Sequence, residues 1–62
     1  MNELILKKKV YRVGDSVRVK CMIDNTVFEG RLVNVMASQI FVQGEDTEKF
    51  FFLKNITMEH IE

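Results

Sequence analysis

Apolar and polar residues alternate along most of this chain, which is the pattern of β-strands with one buried face. Turn-forming residues, among them Gly14, Asp24 and Gly44, separate the alternating stretches. The pattern predicts five strands, over residues 17–23, 27–36, 39–43, 49–53 and 56–61. Five short strands separated by turns favour an all-β fold, specifically a small and strongly bent five-stranded barrel.

The first two predicted strands carry most of the expected core. On the first, the apolar face consists of Val17, Val19, Cys21 and Ile23. On the second, one face holds Phe28, Leu32 and Met36, and the other holds Val27, Val33 and Val35. Gly30 lies inside the second strand, where a missing side chain permits a sharp bend or a close backbone approach. We therefore expect this strand to serve both walls of the barrel.

Both ends of the chain leave alternatives open. Residues 2–12 suit either a short helix capped by Asn2 or a strand. Residues 56–61 suit either a strand with a bulge or a helical turn, because their apolar positions change phase. The prediction is one domain over residues 1–62, with an N-terminal arm or helix over 1–12 and the barrel over 13–62.

Three consecutive phenylalanines, Phe50 to Phe52, lie on the fourth predicted strand. Alternation sends their rings to opposite faces, so at least one ring needs cover outside the core. The cover is either a second copy of the chain or the N-terminal segment lying over Phe51. A chain this short gains little net stability from its own core, which favours self-association. The predicted oligomer interface consists of Phe50, Phe51, Phe52 and Met58.

Composition narrows the class of protein. The chain has 62 residues, 47% of them hydrophobic and 29% charged, which suits one small folded domain rather than a disordered tail. Its one cysteine leaves no internal disulfide and too few thiols for a zinc finger. No stretch reads as a signal peptide or a membrane span, so we expect a cytoplasmic protein that does not bind membranes.

Charge is balanced overall but not along the chain. Nine Lys and Arg residues face nine Asp and Glu residues, which disfavours a generic polybasic nucleic-acid binder. Residues 1–31 nevertheless carry a net charge of +3 and residues 32–62 a net charge of −3. Either the halves neutralise each other on folding, or the N-terminal cations form a stripe for phosphates with Tyr11 as a stacking ring. The cations predicted to bind nucleic acid are Lys8, Arg12, Arg18 and Lys20.

The sequence offers few residues that could support catalysis, with one His and one Cys. His60 belongs to no catalytic motif, and we expect it to face solvent or to pair with another group. Cys21 falls in phase with the apolar residues of its strand, so we expect a buried structural thiol. No spacing of His, Cys, Asp and Glu suits a metal. We predict a protein that is not an enzyme and uses no cofactor.

From Phe28 onward the residues resemble an Sm-like protein, particularly of the bacterial Hfq branch. The first Sm motif is matched without gaps at Gly30, Leu32, Val35, Ile40 and Val42, and the second is similar to the run from Phe50 to Ile56. A separate stretch, Tyr11 to Val19, resembles the opening of an SH3-like or KOW-type barrel, in which a Gly-Asp turn precedes the first strand. Both families are small five-stranded barrels.

The Sm resemblance implies single-stranded RNA bound around the pore of a homo-oligomeric ring. Such a ring forms when the fourth strand of one copy pairs with the fifth strand of the next. At the family's pore positions, Met36 replaces the usual Asp and Ser38 replaces the usual aromatic residue. Leu53 stands where the family carries Lys, and Lys54 where it carries His. The RNA-binding residues that the resemblance implies are Ser38, Lys54 and Asn55.

The sequence therefore predicts an Sm-like RNA-binding or RNA-associated protein that is homo-oligomeric and non-catalytic. The alternative is an SH3-like protein-interaction module that acts as a small accessory or inhibitory regulator. A surface of both charges, with Phe51 or Met58 exposed, would suit docking on a protein partner.

Overall fold

The computed structural model describes residues 1–61 and consists of strands joined by tight turns. The strands are β1 (Glu3–Leu6), β2 (Lys9–Arg12), β3 (Ser16–Cys21), β4 (Val27–Val35), β5 (Gln39–Gln43), β6 (Glu48–Phe52) and β7 (Ile56–His60). A single 3₁₀ turn, Leu53–Asn55, links β6 to β7 within the described residues. The predicted all-β fold class is confirmed. No helix among residues 1–61 has the length and apolar character needed to cross a membrane.

Five strands form one antiparallel sheet in the order β6-β5-β4-β3-β7. Each strand pairs with its neighbour in sequence until β7, which returns to pair with β3. The edge strands β6 and β7 are not hydrogen-bonded to each other in the described part of the chain, so backbone pairing leaves the sheet open between them. The nearly equal extents of 25 × 23 × 21 Å fit a curled sheet with a covering hairpin.

The N-terminal segment is a hairpin of β1 and β2, so the alternative of a short N-terminal helix is wrong. Its turn residues Lys7 and Lys8 have φ values of 50° and 69°, the left-handed conformation that two-residue hairpin turns require. Leu4 pairs with Tyr11 across the hairpin, and both side chains are buried. The turn at the lysines thus places Leu4 and Tyr11 together on the buried face, whereas the next pair, Ile5 and Val10, is exposed.

The core consists of the inward residues of the sheet together with the hairpin. Its buried members are Leu4, Tyr11, Val17, Val19, Leu32, Val35, Ile40, Val42 and Ile56. The predicted apolar face of β3 is buried through Val19, and on β5 the alternating residues Ile40 and Val42 are buried. Ile23, Val27, Val33 and Met36 are exposed, so placing them in the core was wrong. Ile23 lies in the turn after β3, and a bulge between Leu32 and Asn34 turns Val35 inward instead of Met36.

Of the two alternatives for residues 56–61, the structure has a strand, and a helical turn precedes it. Residues 56–60 are β7, and the 3₁₀ turn lies before this strand rather than within it. The Ile61 amide donates to the Ser16 carbonyl oxygen at 2.9 Å, so the β3 pairing extends past the end of β7.

Gly30 lies where β4 and the backbone of β5 approach closely. A Cβ atom at this position would lie 2.2 Å from the carbonyl oxygen of Gln43 and 2.8 Å from its carbonyl carbon. The obstacle is backbone, which cannot move aside without disturbing the sheet. The expected close approach at Gly30 is confirmed.

The substitution Gly30→Ala is expected to lower the free energy of unfolding by about 1–3 kcal/mol, the usual cost of forcing extra atoms into a packed site. Urea unfolding followed by circular dichroism measures the change. Asn34→Ala is the matched control on the same strand. Its side chain is exposed, so the change should stay within about 0.5 kcal/mol. Equal effects of the two substitutions would contradict the close approach.

Candidate nucleic-acid interface

Two of the predicted N-terminal cations are held by carboxylates. The Arg12 Nε lies 2.8 Å from Glu3 Oε2 across the hairpin. Arg18 is bound on two sides, with Nε 2.6 Å from Glu29 Oε2 and Nη1 2.5 Å from Glu59 Oε2. The hydrogen bond to Glu29, followed by that to Glu59, raises the pKa of Arg18 above its ordinary value. The structure therefore does not support a stripe of free cations through Arg12 and Arg18.

The remaining cations of that predicted stripe lie on different elements of the fold. Lys8 is in the turn of the N-terminal hairpin, whereas Lys20 is exposed on the outer face of β3. Lys20 shares a shallow groove with Arg18 and with Lys9. Glu59 lines the same groove and balances part of its charge. The structure thus brings Arg18 and Lys20 together in a groove that Lys8 does not line.

Tyr11 is not available as a stacking ring. Its side chain is only 1% exposed, and its hydroxyl donates to the Met58 carbonyl oxygen at 2.8 Å. Burial, and next the Glu59 carboxylate, raise the pKa of Tyr11 above its ordinary value. The prediction of a surface ring at this position was wrong, because the hairpin turns Tyr11 into the core.

Two residues implied by the Sm resemblance do come together, at the end of the sheet where β4 turns into β5. Ser38 and Lys54 line one groove, which we call the Phe52 groove, and its remaining lining residues are Ala37, Phe52 and Leu53. The Leu53 amide donates to the Ser38 carbonyl oxygen at 3.0 Å and holds the two walls together. Asn55 does not line this groove. It is half-buried, and its carbonyl oxygen accepts from the Met22 amide at 2.8 Å.

The Phe52 groove combines three kinds of chemistry. The Phe52 ring is 45% exposed and offers a face on which a nucleobase can stack. Lys54 supplies an exposed ammonium for a phosphate, and Ser38 supplies a hydroxyl that can donate or accept. In the Sm comparison, Ser38 stands where the family usually has an aromatic residue, so the sequence suggested that the base-stacking ring is lost. The sequence comparison did not identify Phe52, two residues before Lys54, which places a ring in the same groove.

The three consecutive phenylalanines divide between the two faces of β6. Phe51 points inward and packs beside Phe28, with ring centroids 5.9 Å apart. Phe50 and Phe52 point outward with Phe41 of β5, and we call these three residues the aromatic face. Their ring centroids are 6.1 Å apart for Phe41 and Phe50, and 5.5 Å apart for Phe50 and Phe52. Of the predicted oligomer interface, Phe51 and Met58 are partly buried and pack against the core, whereas Phe50 and Phe52 are exposed, and the interface itself stays a prediction.

A cluster beside the β7 edge involves the chain's one histidine. His60 stacks on Tyr11 with ring centroids 4.5 Å apart, and its Nε2 lies 3.0 Å from Asp15 Oδ2. Asp15 also accepts from the Arg12 amide at 2.8 Å. The Arg12 hydrogen bond, and next that from His60, hold the pKa of Asp15 below its ordinary value. The expectation that His60 pairs with another group is confirmed.

Other candidate chemistry is sparse in the described residues. Cys21 is half-buried at the end of β3, less enclosed than the buried thiol that we expected. Among residues 1–61, no group of three or more His, Cys, Asp and Glu side chains is arranged to hold a metal ion.

Comparison of the chain with protein-family models, with curated proteins and with solved structures finds no match. The Sm-like and SH3-like resemblances therefore stay predictions from the sequence pattern. Small barrels and bent sheets of this kind carry many unrelated activities, so the function depends on the surface residues and not on the fold alone.

The Asp15 cluster makes stability depend on pH. Because the folded-state pKa of Asp15 is lowered, its charged form stabilises the fold above the ordinary Asp pKa of 3.8, and this contribution disappears as the pH falls through the lowered value. Asp15→Asn should therefore be less stable than wild type at neutral pH, and the difference should shrink at acid pH. Urea unfolding at pH values from about 7 down to about 2.5 measures it.

Asp46→Asn, in the exposed turn before β6, is the matched control. It removes one carboxylate without touching the cluster, so its stability should follow wild type at every pH. A difference between Asp15→Asn and wild type that does not change with pH would contradict the role of the Asp15 carboxylate.

Proposed function

We propose that this protein binds single-stranded RNA through the Phe52 groove and catalyses no reaction. The observation that carries the proposal is the meeting of the exposed Phe52 ring, the Lys54 ammonium and the Ser38 hydroxyl in one groove. Base stacking on an aromatic ring and phosphate contact by a cation are the two interactions on which single-strand binding depends.

The distribution of paired and unpaired cations supports this site over the N-terminal stripe. Arg12 and Arg18 are bound to carboxylates, and phosphate binding would have to displace those partners. No ion pair involves Lys54 within residues 1–61, and no acidic residue lines the Phe52 groove. With one ring and one cation per chain, binding should be weak and should rest on stacking more than on charge.

We do not propose that copies of this chain form an oligomeric ring. The ring that the Sm resemblance implies needs an accessible β7 edge, and the Met58 carbonyl on that edge is engaged by the Tyr11 hydroxyl. The ring stays a prediction, and the groove does not require it, because all of its lining residues belong to one chain.

A second candidate function is recognition of a protein partner. The observation that favours it is the aromatic face, where Phe50 is 54% exposed on a strand at the edge of the sheet. Exposed aromatic residues next to an open strand edge suit the addition of a peptide strand. The accessory or inhibitory module anticipated from the SH3-like resemblance would bind in this way.

Titration of labelled U-rich and A-rich oligonucleotides, followed by fluorescence anisotropy, tests the RNA proposal. Phe52→Ala is expected to weaken binding about 5-fold to 150-fold, since a stacked base contributes about 1–3 kcal/mol. Lys54→Ala should also weaken binding and should reduce the slope of log affinity against log salt by about 0.7, the loss of one phosphate contact.

Lys20→Ala is the matched control, because it removes an equally exposed lysine from a different groove. It should leave affinity nearly unchanged. Loss of binding in Lys20→Ala but not in Lys54→Ala would move the site to β3. Folded, nuclease-treated wild type that binds neither oligonucleotide at low salt would contradict RNA binding and favour the protein partner.

A further inference from the structure

The two edges of the five-stranded sheet differ in what covers them. On β7, hydrogen bonds from the Ile61 amide to Ser16 and from the Met22 amide to Asn55 fix which backbone groups face β3. By alternation, the backbone groups of Met58 and His60 face away from the sheet. The N-terminal hairpin covers this edge, because the Met58 carbonyl accepts from Tyr11 and the His60 ring stacks on Tyr11.

The β6 edge has no such cover among the described residues. Hydrogen bonds from the Leu53 amide to Ser38 and from the Gly44 amide to Thr47 fix the register of the β5–β6 hairpin. Lys49 and Phe51 therefore direct their backbone groups toward β5. The amides and carbonyls of Glu48, Phe50 and Phe52 point outward from the sheet.

This open edge lacks several of the features that normally keep edge strands apart, although two of its residues, Glu48 and Lys49, are charged. The chain contains no proline, and β6 has no bulge in its pairing with β5. Its one lysine, Lys49, lies with Nζ 5.2 Å from the centroid of the Phe28 ring, so its charge is turned toward its own chain. The side chains that flank the free backbone groups are largely apolar, with Phe50 54% and Phe52 45% exposed.

We propose that a second copy of this chain covers the β6 edge by antiparallel strand pairing about a two-fold axis at Phe50. In this register Phe50 lies opposite Phe50 of the second copy, and Glu48 lies opposite Phe52. All three outward-facing residues of β6 then form backbone hydrogen bonds, and the two aromatic faces join into one. A register centred on Lys49 would set two lysines opposite each other, which is unfavourable.

Charge favours a second copy as the occupant. The Phe50 register brings Glu48 to the Phe52 end of the other copy's β6, where the 3₁₀ turn that carries Lys54 begins. It also brings the acidic turn of Glu45 and Asp46 toward the Lys54 end of the other chain. The net charge of zero leaves no overall repulsion between copies. The proposal involves no RNA and does not rest on the proposed function.

Light scattering and sedimentation equilibrium of nuclease-treated protein, at concentrations up to about 1 mM, test the dimer. The mass should rise to twice the 7.3 kDa of one chain and stop there. Phe50→Lys sets two charges opposite each other at the two-fold axis, so this variant should stay monomeric. Ile5→Lys is the matched control, since Ile5 is 69% exposed on the hairpin, and its mass should follow wild type.

A charge exchange tests the geometry without touching an aromatic residue. Glu48→Lys and Lys54→Glu should each weaken the dimer, and the double variant should restore it. Amide hydrogen exchange gives a direct reading, because the Phe50 amide should become protected as concentration rises, whereas the Phe51 amide should be protected throughout. A monomeric wild type, a mass beyond two chains, a dimeric Phe50→Lys, or a double variant weaker than both single variants would overturn the proposal.

Discussion

The contact between Tyr11 and β7 is the interaction on which the rest of the structure depends. It joins the N-terminal hairpin to the last strand, 47 residues away in sequence, through a hydroxyl donated to the Met58 carbonyl and a ring buried in the core. Seven of the nine core residues belong to the sheet, and their face would meet water without the hairpin. The same contact covers one edge of the sheet and so leaves β6 as the edge with free backbone groups.

Charge in this protein is arranged in local groups rather than in one patch. The split between a basic and an acidic half suggests neutralisation between the halves, and the pair of Arg18 with Glu59 is of that kind. The pairs of Arg12 with Glu3 and of Arg18 with Glu29 form instead within the basic half, across neighbouring strands. Once these arginines are engaged, Lys54 stands out as a cation beside an exposed ring.

The Phe52 groove and the β6 edge meet at Phe52 and Lys54. In the proposed dimer, Glu48 of the second copy lies beside the turn that carries Lys54, the cation that the proposed RNA site uses. The two interactions would therefore compete for Lys54 rather than reinforce each other. A chain of this size has few surfaces, so one side chain serves more than one of them.

Alternation along single strands was enough to predict the all-β class, the turns at Asp15 and Asp24, and the apolar face of β3. These are local properties, because the side-chain period of a strand follows from its backbone geometry. The close approach at Gly30 was also predictable, since a glycine inside an apolar strand often marks a bend or a site where another backbone comes near. The resemblance implied that Ser38 and Lys54 act together, and both line the Phe52 groove, but it did not reveal the ring that lies beside them.

The sequence by itself therefore determined that this chain forms strands, where most of them turn, and that its core is small and apolar. Only the tertiary structure decided that residues 2–12 form a hairpin, that Tyr11 is buried, and that Phe51 turns inward while Phe50 and Phe52 turn outward. Alternation separates the two faces of a strand but does not say which face meets the core. That choice depends on packing between segments far apart in the chain, which no local pattern contains.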